Sequence, residues 1–183
     1  MKFYLLVSLL IVETFAASRL YEMQKFDNCQ VSHAIQMRLF VNNGSAVPDK
    51  IAFGGYLEVT EKILGPIEFT LDSNRCDFAM KKCEKFSIMK IPGVCDIINS
   101  KNGMIEDLLK TFEPRIQCPI MPGNYTAKDS VLDLAVVSGF PTNGFVWVET
   151  IKGVSGDGKN RKLVFCANVE AKITSVRDKK RKN

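Results

Sequence analysis

Between Ile35 and Ile173 the chain reads as a succession of short alternating runs. Ile35, Met37 and Leu39 alternate with Gln36 and Arg38, the period of a strand with one buried face. The turn-rich "NNGSAVPD" ends that run. Ile51, Phe53, Leu57 and Val59 then share one parity, and Gly54-Gly55 between them marks a bulge or bend. Ile67, Phe69 and Leu71 set against Glu68, Thr70 and Asp72 make the cleanest strand pattern in the chain. Phe86 to Ile91 is a short apolar strand closed by Pro92-Gly93. "MIEDLLKTF", Met104 to Phe112, changes period. Met104, Ile105, Leu108, Leu109 and Phe112 recur at helical spacing, Glu106 and Asp107 sit in the first turn, and Pro114 lies beyond the end. One helix over Met104 to Phe112 is expected. Period two returns in Leu132, Leu134 and Val136, in Phe145, Trp147 and Ile151, and in Leu163, Phe165, Ala167, Val169, Ala171 and Ile173. Turns fall at Pro141-Thr142-Asn143-Gly144 and at "GVSGDGKN", a hairpin loop with Asp157-Gly158 at its tip. About seven or eight short strands with turns between them predict an all-β, immunoglobulin-like two-sheet sandwich.

The 183 residues suit one domain, and 46% hydrophobic with 25% charged residues is an ordinary globular balance. The first residues, "MKFYLLVSLLIVETFAAS", change the picture. Lys2 precedes an apolar stretch from Phe3 to Val12, and small residues follow at Ala16, Ala17 and Ser18. This is the layout of a cleaved signal peptide, and the stretch is too short to span a bilayer. The expected organisation is a signal peptide over 1–17, one domain over 18–176 and a basic tail over 177–183. The destination is extracellular, or the lysosomal lumen. All six cysteines, Cys29, Cys76, Cys83, Cys95, Cys118 and Cys166, follow the expected cut. An even number in an oxidising compartment makes three disulfides the default reading. No Cys-x-x-Cys pair occurs and His33 is the one histidine, so no metal site is expected. Sequons stand at Asn43-Gly44-Ser45 and Asn124-Tyr125-Thr126. Asn43 lies in the turn-rich segment and is the better candidate. A glycan on Asn124 requires its turn to face solvent.

Charge and chemistry narrow the function. The net charge is +5, and "RDKKRKN" from Arg177 carries +4 of it. The body is nearly neutral, which excludes a nucleic-acid surface; the tail reads as a solvated terminus or as weak attraction to anionic headgroups. A nucleophilic triad needs a histidine as base. His33 stands next to Ser32 and reads as an ordinary surface or strand residue, and no Gly-x-Ser-x-Gly elbow exists. Gly153, Gly156 and Gly158 suit a hairpin rather than a phosphate loop. Neither an enzyme nor a cofactor is expected. "CPIMPGNYT", Cys118 to Thr126, packs a cysteine, two prolines and a glycine before an alternating run. A catalytic loop, a metal site and a disulfide-anchored turn all fit that string. Twelve phenylalanines and seven methionines serve either a packed core or two sheets splayed around a lipid chain, where each buried methylene contributes roughly 0.8 kcal/mol.

The ordered set "FDNC" (Phe26 to Cys29), "CPIMPGNYT" and "LVFCANVEAKI" (Leu163 to Ile173) resembles the ganglioside-activator (sphingolipid-activator) branch of the ML lipid-recognition superfamily. The resemblance spans Phe26 to Ile173 and is best from Cys118 onward. It implies a β-cup, a sandwich with an apolar cavity, that takes up lipid chains without chemistry on them. It implies the pairing Cys29–Cys166, Cys76–Cys83 and Cys95–Cys118, so Cys118 anchors a turn and Pro119 and Pro122 suit the start of a strand. The mammalian activators carry a further cysteine pair beside the Cys-Pro element, which is missing here. By family position, Val136 to Phe145 resembles the apolar loop at the cup's mouth, with Val137, Phe140 and Phe145 meeting membrane or acyl chain. Phe53, Leu57, Ile67, Phe69, Leu71, Met89, Ile91, Leu132, Leu134 and Trp147 are expected inside the cup, with Ile105, Leu108 and Phe112 covering one side. The implied partners are a glycolipid, phospholipid or fatty acid, a transient membrane surface, and a lipid hydrolase acting on the presented lipid. Secreted chemosensory proteins of related branches look similar around the Cys-Pro element, which makes a small apolar semiochemical the alternative ligand.

Overall fold

The computed structural model describes residues 18–41, 47–100, 109–134 and 142–176. The expected signal peptide, the basic tail, Asn43, Ile105, Leu108, Val137 and Phe140 lie outside the described residues. Within them the chain is mostly β. Its strands are β1 (Arg19–Asn28), β2 (Ile35–Val41), β3 (Lys50–Val59), β4 (Ile67–Cys76), β5 (Cys83–Ile91), β6 (Phe112–Glu113), β7 (Gly123–Asp133), β8 (Phe145–Ser155) and β9 (Lys162–Ser175), with one short helix α1 (Val94–Asn99). Hydrogen bonding runs in the order β5-β4-β8-β9-β2-β3-β7-β6, and β1 pairs with β9 beside β2. The sheet is mixed and does not close on itself.

β9 is the seam. Along Ala167–Ser175 its free edge is taken by β1, antiparallel. Beyond that, a single parallel pair, Ile35 with Phe165, joins it to β2. Three devices hold this narrow join. Cys29 is disulfide-bonded to Cys166, closing a separation of 137 residues, a loop for which the chain-entropy estimate is roughly 4–5 kcal/mol. The Asn28 side-chain amide donates to the Met37 carbonyl (2.8 Å) and accepts from the Met37 amide (3.0 Å), standing in for a strand partner. The amide and hydroxyl of Thr60 both donate to the Ala34 carbonyl. Side chains from both runs of strands then meet in one core: Phe53, Leu57, Tyr125, Ala127 and Phe112 pack with Ile67, Phe165 and Ala167.

The "CPIMPGNYT" string resolves into a plug and an anchor. Cys118 is disulfide-bonded to Cys95 on α1. Ile120 is buried and exchanges backbone hydrogen bonds with Ile63 (2.9 and 3.2 Å). The Tyr125 hydroxyl donates to the Met121 carbonyl at 2.7 Å. The third disulfide joins Cys76 and Cys83 at the β4–β5 turn. These partners are those the resemblance implied.

Two expectations are corrected. Phe112 does not end a helix: Leu109 and Lys110 are helical, but Phe112–Glu113 pairs with β7 at Ala127 and Thr126. Phe112 is buried in the core, and its burial as an edge strand outweighs the helical spacing it shares with Leu109. His33 is not at the surface. It is buried in the turn before β2, its Nδ1 against the Ile35 carbonyl and its ring edge-on to Phe165.

Candidate functional site

β4, β5, β8 and β9 present one continuous face toward the core. Register places Phe69 beside Ile91 and Gly153, and Leu71 beside Met89 and Ile151. The next row holds Ser73 and Glu149, and the next Arg75 and Trp147. The first row is closed. Phe69 lies edge-on to Phe165 at 6.1 Å, over a strand position where any side chain would strike its ring: a Cβ on Gly153 would lie 2.5 Å from Phe69. Moving along the face, cover is lost. Leu71 and Ile151 are half-buried and Met89 is 51% exposed.

The far end is an aromatic box around a cation. The Arg75 guanidinium carbon lies 5.0 Å from the Phe145 ring centre and 5.4 Å from that of Phe86, distances at which a cation is attracted to a ring face. Phe86 meets Trp147 edge-on at 4.8 Å. The Trp147 indole donates to the Thr142 carbonyl at 2.8 Å, and Glu84 pairs with the guanidinium. Phe86 is 43% exposed.

Between the two ends sits a half-buried carboxylate, Glu149, between Trp147 and Ile151 along β8. The Ser73 hydroxyl donates to Glu149 at 2.6 Å. Burial pushes the Glu149 carboxyl above the ordinary glutamate range, the Ser73 hydrogen bond works against that shift, Asp72 adds to it and Lys85 offsets it. This is the pattern of a charge that has lost water without gaining a cation of its own.

The β4–β5 turn borders the boxed end, since Cys76 pairs with Val146 next to Phe145. The disulfide staples a tip in which Phe78 and Met80 are exposed beside exposed Lys81 and Lys82. Asp77 shapes it, accepting from the Lys81 amide at 2.8 Å, and Met80 takes a left-handed φ of 56°.

The residues expected to meet lipid therefore fall into classes. Phe53, Leu57, Ile67, Phe112 and Trp147 are buried. Phe69, Leu71, Ile91, Leu132, Leu134 and Phe145 are half-buried, and Met89 is exposed. Arg75, Phe86, Glu149, Phe78 and Met80 were not anticipated. "CDFAMKKC" did carry a signal: two apolar side chains followed by two lysines inside a short Cys-to-Cys loop. Compared with known proteins, the chain matches no family model and no curated protein.

Proposed function

We propose that the chain is a secreted, non-enzymatic lipid-binding and lipid-transfer protein of the ganglioside-activator type. Its two runs of strands act as the walls of a β-cup, acyl chains of a glycolipid, phospholipid or fatty acid lie along the inner face, and the headgroup stays at the boxed end. The observation that carries the reading is the graded face of β4, β5 and β8, sealed at Phe69 and Phe165 and bare at Met89 and Phe86. An exposed apolar strip continuous with a core is what a chain-like ligand covers. The motifs quoted above, in their order along the chain, support the same reading. Membrane contact falls to the stapled tip: Phe78 and Met80 enter the interface, while Lys81 and Lys82 each add roughly 1 kcal/mol against anionic headgroups. Lipid presented this way is open to a hydrolase.

The test is mass spectrometry of lipid carried by the secreted, disulfide-intact protein. Near-stoichiometric glycolipid, phospholipid or fatty acid is the expected result. A small apolar signal molecule in its place would favour a semiochemical carrier. A protein that arrives empty and takes up no added lipid would remove the cup.

A further inference from the structure

A second surface lies on the opposite side of β2, β3 and β7 from the core. Alternation along β7 sends Asn124 and Thr126 outward while Tyr125 is buried between them. The acceptor and the hydroxyl residue of the sequon thus share the solvent face, held by a ladder in which Asn124 opposes Glu58 and Thr126 opposes Tyr56. A groove of about 720 Å³ opens at this place, lined by Phe40, Gly54, Tyr56, Glu58, Asn124 and Lys128 among others. Asn124 is exposed, and its side-chain amide makes no hydrogen bond among the described residues. The Arg38 guanidinium carbon lies over the Tyr56 ring, 5.8 Å from its centre. Phe40 at the groove's side is 64% exposed.

We infer that Asn124 is an N-glycosylation site and that the first sugars of its glycan seat in this groove, against Tyr56 and Phe40. The chemistry of the lining matches a pyranose. The apolar C–H side of a sugar ring suits an aromatic face, whose negative quadrupole attracts it. Its hydroxyls both donate and accept, and Glu58, Lys128 and Thr126 offer a carboxylate, an ammonium and a hydroxyl. Diagonal neighbours on a sheet face lie roughly 7–8 Å apart, within reach of a large side chain, and Tyr56 is diagonal to Asn124 in this register. Asn124, at the start of β7, thus meets the condition of facing solvent. The inference rests on passage through a glycosylating secretory compartment and is independent of what the inner face binds.

The experiment secretes the chain behind a leader of proven function from a glycosylating cell, so that its own N-terminus does not decide the result. Glycopeptide mapping separates Asn124 from Asn43. The parent protein and Thr126→Ser are expected to carry a glycan on Asn124, and Asn124→Gln and Thr126→Ala are expected to lack it. A parent protein bare at Asn124 overturns the site. Seating is read separately. Enzymatic removal of the glycan is expected to lower the thermal midpoint by about 2–4 °C in the parent and to leave Tyr56→Ala unmoved. An equal drop in both overturns the seating while the site stands. Lipid measured in the same samples is expected to be unchanged by Asn124→Gln or Tyr56→Ala.

Discussion

The two ends of the inner face of β4, β5 and β8 are made of similar side chains and treat them in opposite ways. At the sealed end Ile67 is 2% exposed, and Phe69 and Phe165 meet edge-on. At the boxed end Phe86, Trp147 and Phe145 also meet edge-on, yet Phe86 remains open to water. Apolar content does not distinguish them; what stands opposite does. The sealed end packs into a core shared with β3, β6 and β7. The boxed end is ordered instead by a guanidinium between rings and by the Thr142 carbonyl on the indole. Packing of the first kind carries stability. The second kind orients aromatic groups while leaving them available.

The comparison predicts a large difference between two phenylalanines. Phe165→Ala removes a ring that contacts Phe69 and His33 at the residue whose backbone joins β9 to β2. It is expected to destabilise the fold by about 3–5 kcal/mol, read from urea unfolding. A cost under about 1 kcal/mol would mean that the sealed end is not the core. Phe86→Ala at the other end loses one edge-on pair and one cation contact. Its expected stability cost is about 0.5–1.5 kcal/mol, while transfer of lipid from vesicles falls several-fold. Normal transfer in this variant would break the proposal that the lipid headgroup sits at the boxed end.

How much of this was legible depends on where the backbone kept its period. β2, β3 and β4 follow the alternation of Met37 and Leu39, of Phe53, Leu57 and Val59, and of Ile67 and Phe69. β1 was missed because its ladder shifts register between Met23 and Lys25, which puts Tyr21, Met23 and Phe26 out of phase. α1 was missed because a six-residue helix buries only Val94 and Ile98, too few positions to show a period. A second irregularity, between Ser73 and Asn74 opposite β5, hid the boxed end. Parity alone groups Phe86 with Ile88 on the outer face, and the bulge brings its ring inward to Trp147. The extra residue of a bulge is invisible in composition and decisive for which face a side chain joins. Glu149 was legible and passed over, since it sits between Trp147 and Ile151 on their own parity.

Glu149 supplies the smallest of the predicted effects and sharpens the comparison most, because it lies between the two ends. Its folded-state proton affinity is raised, chiefly by burial. The folded protein therefore holds this proton more tightly than the unfolded chain, and stability falls as pH rises through the interval between the ordinary glutamate range and the raised value. Below that interval the carboxyl is neutral in both states and the penalty vanishes. Glu149→Gln keeps an acceptor for the Ser73 hydroxyl and carries no charge at any pH. The variant and parent are expected to have the same unfolding midpoint on the acid side. From the ordinary glutamate range upward the variant's lead grows, and it levels off above the raised value. Asp72 and Lys85 act on the carboxyl in opposite senses, so burial should set the sign. Parallel midpoint curves across the whole range would mean that the middle of the face is as wet as its boxed end. A lead that is absent on the acid side and opens above the ordinary glutamate range would place the loss of water, and the boundary between core and open face, at the Ser73–Glu149 row.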